Sequence, residues 1–426
     1  MHASRQEGLD VWKITRYNGP HTCSNPAISK DHYKLDSKII CHFIMPLVEQ
    51  QPSVKISALQ AECKDKIGYE LSYRKTWKAR HIAIVKIYGG WEESYGRLRR
   101  LMITLCKQNP GSPVLIEDDE LFIDNHLVLG YKVFDRMFWS FKQLIEGFKH
   151  CRPIICIDST FLYGKYKGCL FCATALDGNN HIFPIAWAIV DCEDGRNWDW
   201  FMKCLRVFVT DREDICVISD RHKGIIKAMQ DDWWQPPTAH HRFCIRHSLS
   251  NYNTKFKNSV MKDALCKAAH QNQKKKFYEA MYKIRDMHQE TYDWAVKIDS
   301  QKWTRSHDGG KRYGSMTTNT IESMNGMLKG LRALPITAML ERTLKCYELM
   351  FHALGDEVYW PESNGDPLVP DSTRKRQKGR PMSSRRNNKM NWMLKGKLRE
   401  RSTIYCSICR EPGHNRQSCP IKNVDR

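Results

Sequence analysis

Two aspartates stand where apolar runs end. Residues 153–161 read Pro-Ile-Ile-Cys-Ile-Asp-Ser-Thr-Phe, and residues 214–221 read Asp-Ile-Cys-Val-Ile-Ser-Asp-Arg. Short β-branched runs of this kind predict buried strands, which would deliver Asp158 and Asp220 to a strand end or a polar cleft. Two carboxylates brought together repel unless a cation lies between them. Hard divalent cations, Mg²⁺ or Mn²⁺, take oxygen ligands of this type. The pattern predicts a carboxylate metal site that needs a third acid, with a plain turn role for each Asp as the competing reading.

A third acid follows in Thr317-Thr318-Asn319-Thr320-Ile321-Glu322-Ser323-Met324-Asn325. Thr317, Thr318 or Asn319 can cap a helix here. Ile321, Met324 and Leu328 then form one apolar face. Glu322, Asn325 and Lys329 form a polar row beside it that can look into a cleft. A solvent-facing glutamate is the bland alternative.

Cysteine and histidine spacing suggests zinc at three places. Cys406-x-x-Cys409-x4-His414-x4-Cys419 supplies three thiolates and an imidazole, the donor set of a tetrahedral zinc knuckle. So short a segment has no core of its own, so the metal supplies its folding energy. Knuckles grip single-stranded DNA or RNA by stacking and charge, with Tyr405 and Arg410 as expected contacts; a protein-interaction role is the alternative. Cys244-x-x-His247 and His21-x-Cys23 each offer half a site, and packing or surface roles stay open for both.

The elements that must position these groups can be read in order. Val11–Tyr17 alternates like a strand. Residues 53–88 read as helix, Gly68 break, then a basic and aromatic helix with Arg74, Lys75, Lys78 and Arg80, compatible with helix-turn-helix docking on DNA. Ser94–Lys107 reads as a helix. The stripe Phe134, Met137, Phe138, Phe141, Leu144, Ile145, Phe148 predicts an amphipathic helix over 131–150. Three strands follow, at 153–161, 169–176 and 182–190, with Asp177-Gly178-Asn179-Asn180 as a hairpin turn. Then come a helix over 198–209, the strand 215–219 and a helix over 223–229. The order predicts an α/β, ribonuclease-H-like mixed sheet with the first acid on strand one and the second on strand four. Residues 251–310 lack proline and read as a helical insertion, including Lys274–Met287.

The chain of 426 residues has room for two or three domains, and its net charge of +21 favours a polyanionic partner, nucleic acid first. No signal-peptide-like run opens it and no apolar run reaches membrane-spanning length. With 17 scattered Cys, an odd number, a reducing interior is expected. From Pro361 the composition shifts toward a disordered, basic tail. Within it Arg374-Lys-Arg-Gln-Lys-Gly-Arg380-Pro381 reads equally as a minor-groove hook using Arg380, a nuclear-localisation signal or a charged linker.

These motifs together resemble the transposases of plant Mutator-like elements. The resemblance runs from about His21 to Cys419 and is carried by Ile157-Asp-Ser-Thr160, Trp198-x-Trp-Phe201, Ile218-Ser-Asp-Arg221, Cys244-x-x-His247 and Thr318–Asn325, in the family's order. It implies a DDE triad of Asp158, Asp220 and Glu322 holding two Mg²⁺ or Mn²⁺ ions about 3.5–4 Å apart for DNA strand cleavage and transfer. It also implies that His21 and Cys23 are the last two ligands of a WRKY-like zinc finger. No Cys precedes Cys23, and none lies between Cys346 and Cys406 where the family carries a SWIM-type motif. A domesticated, catalytically silent DNA-binding regulator is therefore the alternative to an active enzyme. The expected division is a finger remnant at 1–45, a small helical region at 46–130, the catalytic domain at 131–355, a basic linker at 356–402 and the knuckle at 403–422. The expected partner is DNA, through a nuclear protein that forms a homo-oligomer or acts alone.

Overall fold

A computed structural model of the chain describes residues 2–5, 11–16, 35–345 and 357–376. The chain divides into two units, Met1–Arg376 and Gln377–Arg426, and every described residue lies in the first. It opens with a hairpin of β1 (His2–Arg5) and β2 (Trp12–Arg16).

Four helices precede the main sheet: α1 (Ser37–Gln50), α2 (Ile56–Ile67), α3 (Tyr73–Tyr88) and α4 (Trp91–Gln108). Asp36 caps α1 through the amides of Lys38 and Ile39. Gly68 ends α2 at φ 72°, a left-handed conformation that glycine adopts without steric cost. Ser72 starts α3 by accepting from Lys75 N. The expected helix, glycine turn and basic helix are therefore present.

The main sheet has eight strands: β3 (Val114–Ile123), β4 (His126–Ser140), β5 (Ile154–Phe161), β6 (Cys169–Leu176), β7 (Ile182–Val190), β8 (Ile215–Ser219), β9 (Ala239–Phe243) and β10 (Leu368–Val369). Its order is β10-β4-β7-β6-β5-β8-β9, with β3 paired to β4. β5, β6 and β7 form an antiparallel meander, whereas β5–β8 and β8–β9 are parallel. The fold is thus a mixed α/β one.

The aromatic stripe at 131–150 corrects a sequence expectation. Residues 126–140 are strand β4, and only α5 (Lys142–Phe148) is helical. β4 is buried on both faces at its end. Met137 and Trp139 join the core beneath α1–α4, while Phe138 joins the core on the other face. Burial on both sides erases the period-two alternation, and the aromatics that remain mimic helical spacing.

Helices cover both faces of the sheet. On one side α6 (Gly195–Cys204) lays Trp198 flat on Phe171, with ring centroids 4.0 Å apart, and α7 (Lys223–Ala228) follows. The insertion comprises α8 (Ile245–Phe256), α9 (Ser259–Ala269), α10 (Lys274–Met287), α11 (Gln289–Val296) and α12 (Ser300–Trp303) around its own core. On the other side lie α13 (Asn319–Met327) and α14 (Ile336–Lys345). Within the span expected to be a linker, residues 357–376 pack as a strap. β10 pairs with Lys132 and Val133, and Arg374 donates to the Asp135 carbonyl at 2.9 Å. The amide of Arg376 donates to the Lys165 carbonyl at 2.9 Å. Among the described residues no helix is long and apolar enough to cross a membrane.

Candidate functional site

The site grows from the register of two parallel strands. β5 pairs with β8 so that Ile154, Ile155 and Cys156 lie opposite Cys216, Val217 and Ile218. The pairing ends at Cys156 and Ile218, two residues before each aspartate, and the Asp220 carboxylate lies near enough to Asp158 to act on its ionisation. Buried apolar residues fill β5 up to Asp158, and in β8 they run to Ile218, with buried Ser219 before Asp220.

Asp158 is held in a largely buried position, and its carboxyl is raised from an ordinary 3.8 to about 7. Burial is the main cause. The carboxylates of Asp220 and Glu193 push the same way, against His247 and the amide of Ser159. Asp220 begins the turn after β8, where its Oδ1 accepts from His222 N at 2.9 Å. The next residue, Arg221, lies over the rings of Phe243 and Trp294, 5.6 and 5.9 Å from their centroids, and so ties the insertion to this turn.

Glu322 arrives on α13. Thr318 holds the N-cap position, and Ile321, Met324 and Leu328 are buried as the spacing predicts. Of the polar row beside them, Asn325 reaches the first aspartate, its Nδ2 3.4 Å from Asp158 Oδ2, whereas Lys329 is exposed. The Glu322 carboxylate itself is engaged by Arg246 at 2.6 Å and by His247 Nε2 at 3.3 Å. Arg246 also donates to Asn319 Oδ1 at 3.1 Å. The His247 imidazole is raised to about 10: burial alone would lower it, but the Cys244 sulfur, Glu322 and Asp158 outweigh that.

Cys244 and His247 therefore join β9 and α8 to α13. Cys244 is fully buried, and its sulfur accepts from Thr318 N at 3.3 Å. Its thiol is held below the ordinary value, because the neighbouring imidazole and this amide overcome the effect of burial. Cys244 Sγ and His247 Nε2 are engaged within the protein, whereas the buried His247 Nδ1 has no hydrogen-bond partner among the described residues. Among the described residues no group of three His, Cys, Asp or Glu side chains is close enough to hold a metal ion.

The residues expected to touch nucleic acid separate. Arg74 and Lys78 are exposed on α3, and Lys75 is half-buried. Arg80 is a correction: its guanidinium donates to the Pro52 carbonyl, Nε at 3.2 Å, and burial lowers its pKa, so it fastens α3 to the turn before α2. His21, Cys23, Arg380, Tyr405, Cys406, Cys409, Arg410, His414 and Cys419 lie outside the described residues. Sequence reasoning missed Arg246 as the partner of Glu322; a cation inside Cys244-x-x-His247 gives no spacing signal.

The fold and site define an α/β domain in which an aspartate on β5 and one in the turn after β8 lie near each other, with the glutamate-bearing helix α13 joined to the first through Asn325. Residues 154–251 match the family model of the MULE transposase domain, so the resemblance to Mutator-like transposases holds over this segment and supports a transposase or transposase-derived function. The match runs from the start of β5 into α8. It takes in Asp158, Asp220, Cys244 and His247 and stops before Glu322. No curated protein matches the chain.

Proposed function

We propose that Asp158, Asp220 and Glu322 are the acids of a DNA-cleaving centre in a ribonuclease-H-like domain. The observation that carries this reading is the pairing of β5 with β8, which brings Asp220 close enough to act on the ionisation of Asp158, inside the segment that matches a transposase domain. Further support comes from the strand order, an antiparallel meander followed by two parallel strands, and from Asn325 joining α13 to Asp158.

The donor set suits a hard cation in chemistry: Asp158 and Asp220 offer carboxylate oxygens, and burial together with the Asp220 carboxylate outweighs His247 in raising the pKa of Asp158. In placement Glu322 does not complete the set, because Arg246 and His247 hold its oxygens. When bound, Mg²⁺ or Mn²⁺ polarises a phosphodiester and makes water or a hydroxyl more acidic. The chain's own contribution is to present Asp158 from within β5 and Asp220 from the turn that follows β8. His247 keeps a positive charge beside Glu322 and Asp158, and Asn325 orients the Asp158 carboxylate.

The engaged Glu322 favours a second reading, a transposase-derived DNA-binding protein that no longer cuts. We infer DNA as the partner under both readings, with a zinc knuckle at Cys406, Cys409, His414 and Cys419 and a nuclear location following from the sequence motifs. Nicking of supercoiled DNA with Mg²⁺ or Mn²⁺ separates the two. An active enzyme nicks, and Asp158→Ala abolishes the activity without unfolding the protein. A chain that binds DNA and never nicks is the silent regulator.

A further inference from the structure

Helix α3 turns one face to solvent. Tyr73, Arg74, Trp77 and Lys78 follow at positions i, i+1, i+4 and i+5 and so share one side. Tyr73 is 53% and Trp77 43% exposed. Two large aromatic rings interleaved with two cations supply the chemistry that stacks bases and neutralises phosphates.

This face is joined to Asp158 by an unbroken seam of packed groups. Trp77 stacks on His81, with centroids 5.8 Å and planes 10° apart, and His81 stacks on Trp91 at 6.0 Å and 4°. Trp91 lies against Gly164, where a Cβ would run into the indole ring. Gly164 belongs to the loop that leaves β5, and its neighbour Tyr163 is 50% exposed, with the Arg332 guanidinium 4.9 Å from its ring centroid. Arg332 donates to the Thr160 hydroxyl and to the Asn325 carbonyl, the latter at 3.4 Å. Asn325 in turn reaches Asp158.

We propose that the exposed face of α3 binds unpaired DNA, with bases stacked on Tyr73 and Trp77 and phosphates met by Arg74 and Lys78, as an outlying contact for the strand whose phosphate is presented to Asp158. A helix that reads a duplex from the major groove presents polar side chains to base edges. Here two of the four outward positions carry flat rings, which favours bases free to stack. The inference rests on the reading of Asp158 as part of a DNA-cleaving centre.

The test is binding of a labelled single-stranded oligonucleotide, and of a duplex of the same sequence, to the full chain with divalent cations chelated. It is repeated in a Cys409→Ser background, so that the C-terminal motif's own binding is separated. Trp77→Ala should weaken single-strand binding roughly tenfold and duplex binding far less, with Trp77→Phe retaining most of the affinity. Because Trp77 also packs on His81, the exposed Lys78→Ala is read in parallel. It should reduce the salt dependence of log K by about 0.7. Parent-like single-strand binding by both alanine variants overturns the proposal, as does an equal or larger loss on the duplex. If the variants bind as the parent does while the parent cuts DNA through Asp158, the surface is wrong and the centre stands. If Trp77→Ala loses binding in a protein that never cuts, the surface stands and the centre falls.

Discussion

Asn325 and Asp158, 167 residues apart in sequence, meet through an amide and a carboxylate oxygen 3.4 Å apart. This contact joins the helix that carries Glu322 to the strand that carries the first aspartate. Asn325→Ala removes a buried hydrogen bond to a carboxyl and should lower stability by about 1 kcal/mol. It should reduce DNA cleavage more than DNA binding. Asn325→Asp sets a second carboxylate against Asp158 and should be the more destabilising of the two. Chemical denaturation and nicking rates on the same samples check both expectations.

A pH dependence follows from His241 on β9. The ring is buried, and its Nε2 lies 2.8 Å from Ser219 Oγ. Burial, with Lys302, Arg242 and Arg312 nearby, lowers its pKa from 6.5 to about 3. The folded protein therefore keeps His241 neutral where the unfolded chain takes up a proton. Stability should fall as pH drops from about 6.5 toward 3, by up to about 1.4 kcal/mol per pH unit from this group. His241→Gln should remove that share of the slope. Denaturation midpoints measured across the window for both proteins provide the check, and an unchanged slope rejects the assignment.

Arg246 competes with any cation for Glu322, since its guanidinium sits 2.6 Å from Oε2. The arginine side chain is half exposed, so the pair is of the weak, solvent-screened kind. Arg246→Gln should therefore raise Mn²⁺ affinity only modestly, roughly two- to fivefold, and the gain should vanish in the Arg246→Gln/Glu322→Gln double variant. Calorimetric titration of Mn²⁺ into the three proteins decides this.

Much of the site was legible in the sequence because its elements are simple. Ile154–Ile157 and Ile215–Ile218 are uninterrupted apolar strands, and each names its acid by where it stops. Ile321, Met324 and Leu328 are the buried face of α13 as their spacing predicts, and the contact of Asn325 with Asp158 is a tertiary one that the polar row did not name. Other parts depend on tertiary contacts that leave no local period. β4 hides because it is buried on both faces at its end. The strap at 357–376 is polar and lacks a core stripe; Arg374 and Arg376 hold it through the backbone carbonyls of Asp135 on β4 and Gly164 in the loop after β5. Arg80 reads as a DNA contact by charge, and only the position of the Pro52 carbonyl shows otherwise.

The C-terminal Cys406, Cys409, His414 and Cys419 should bind one zinc ion per chain, seen as a single added metal in native mass spectrometry. Chelation or Cys409→Ser should remove it and lower single-strand affinity without changing the melting of the sheet domain. Metal retained by the Cys409→Ser protein would exclude this ligand set.

The account stands on Glu322 working with Asp158 and Asp220, although it lies beyond the segment that matches the transposase domain. The most direct test is the single-turnover rate of DNA cleavage in Mn²⁺ for Glu322→Gln beside Asp158→Asn, with both proteins shown to be folded and to bind DNA. The predicted result is a loss as large for the glutamate variant as for the aspartate variant, at least about a hundredfold. Cleavage by Glu322→Gln at the parent's rate would contradict the account.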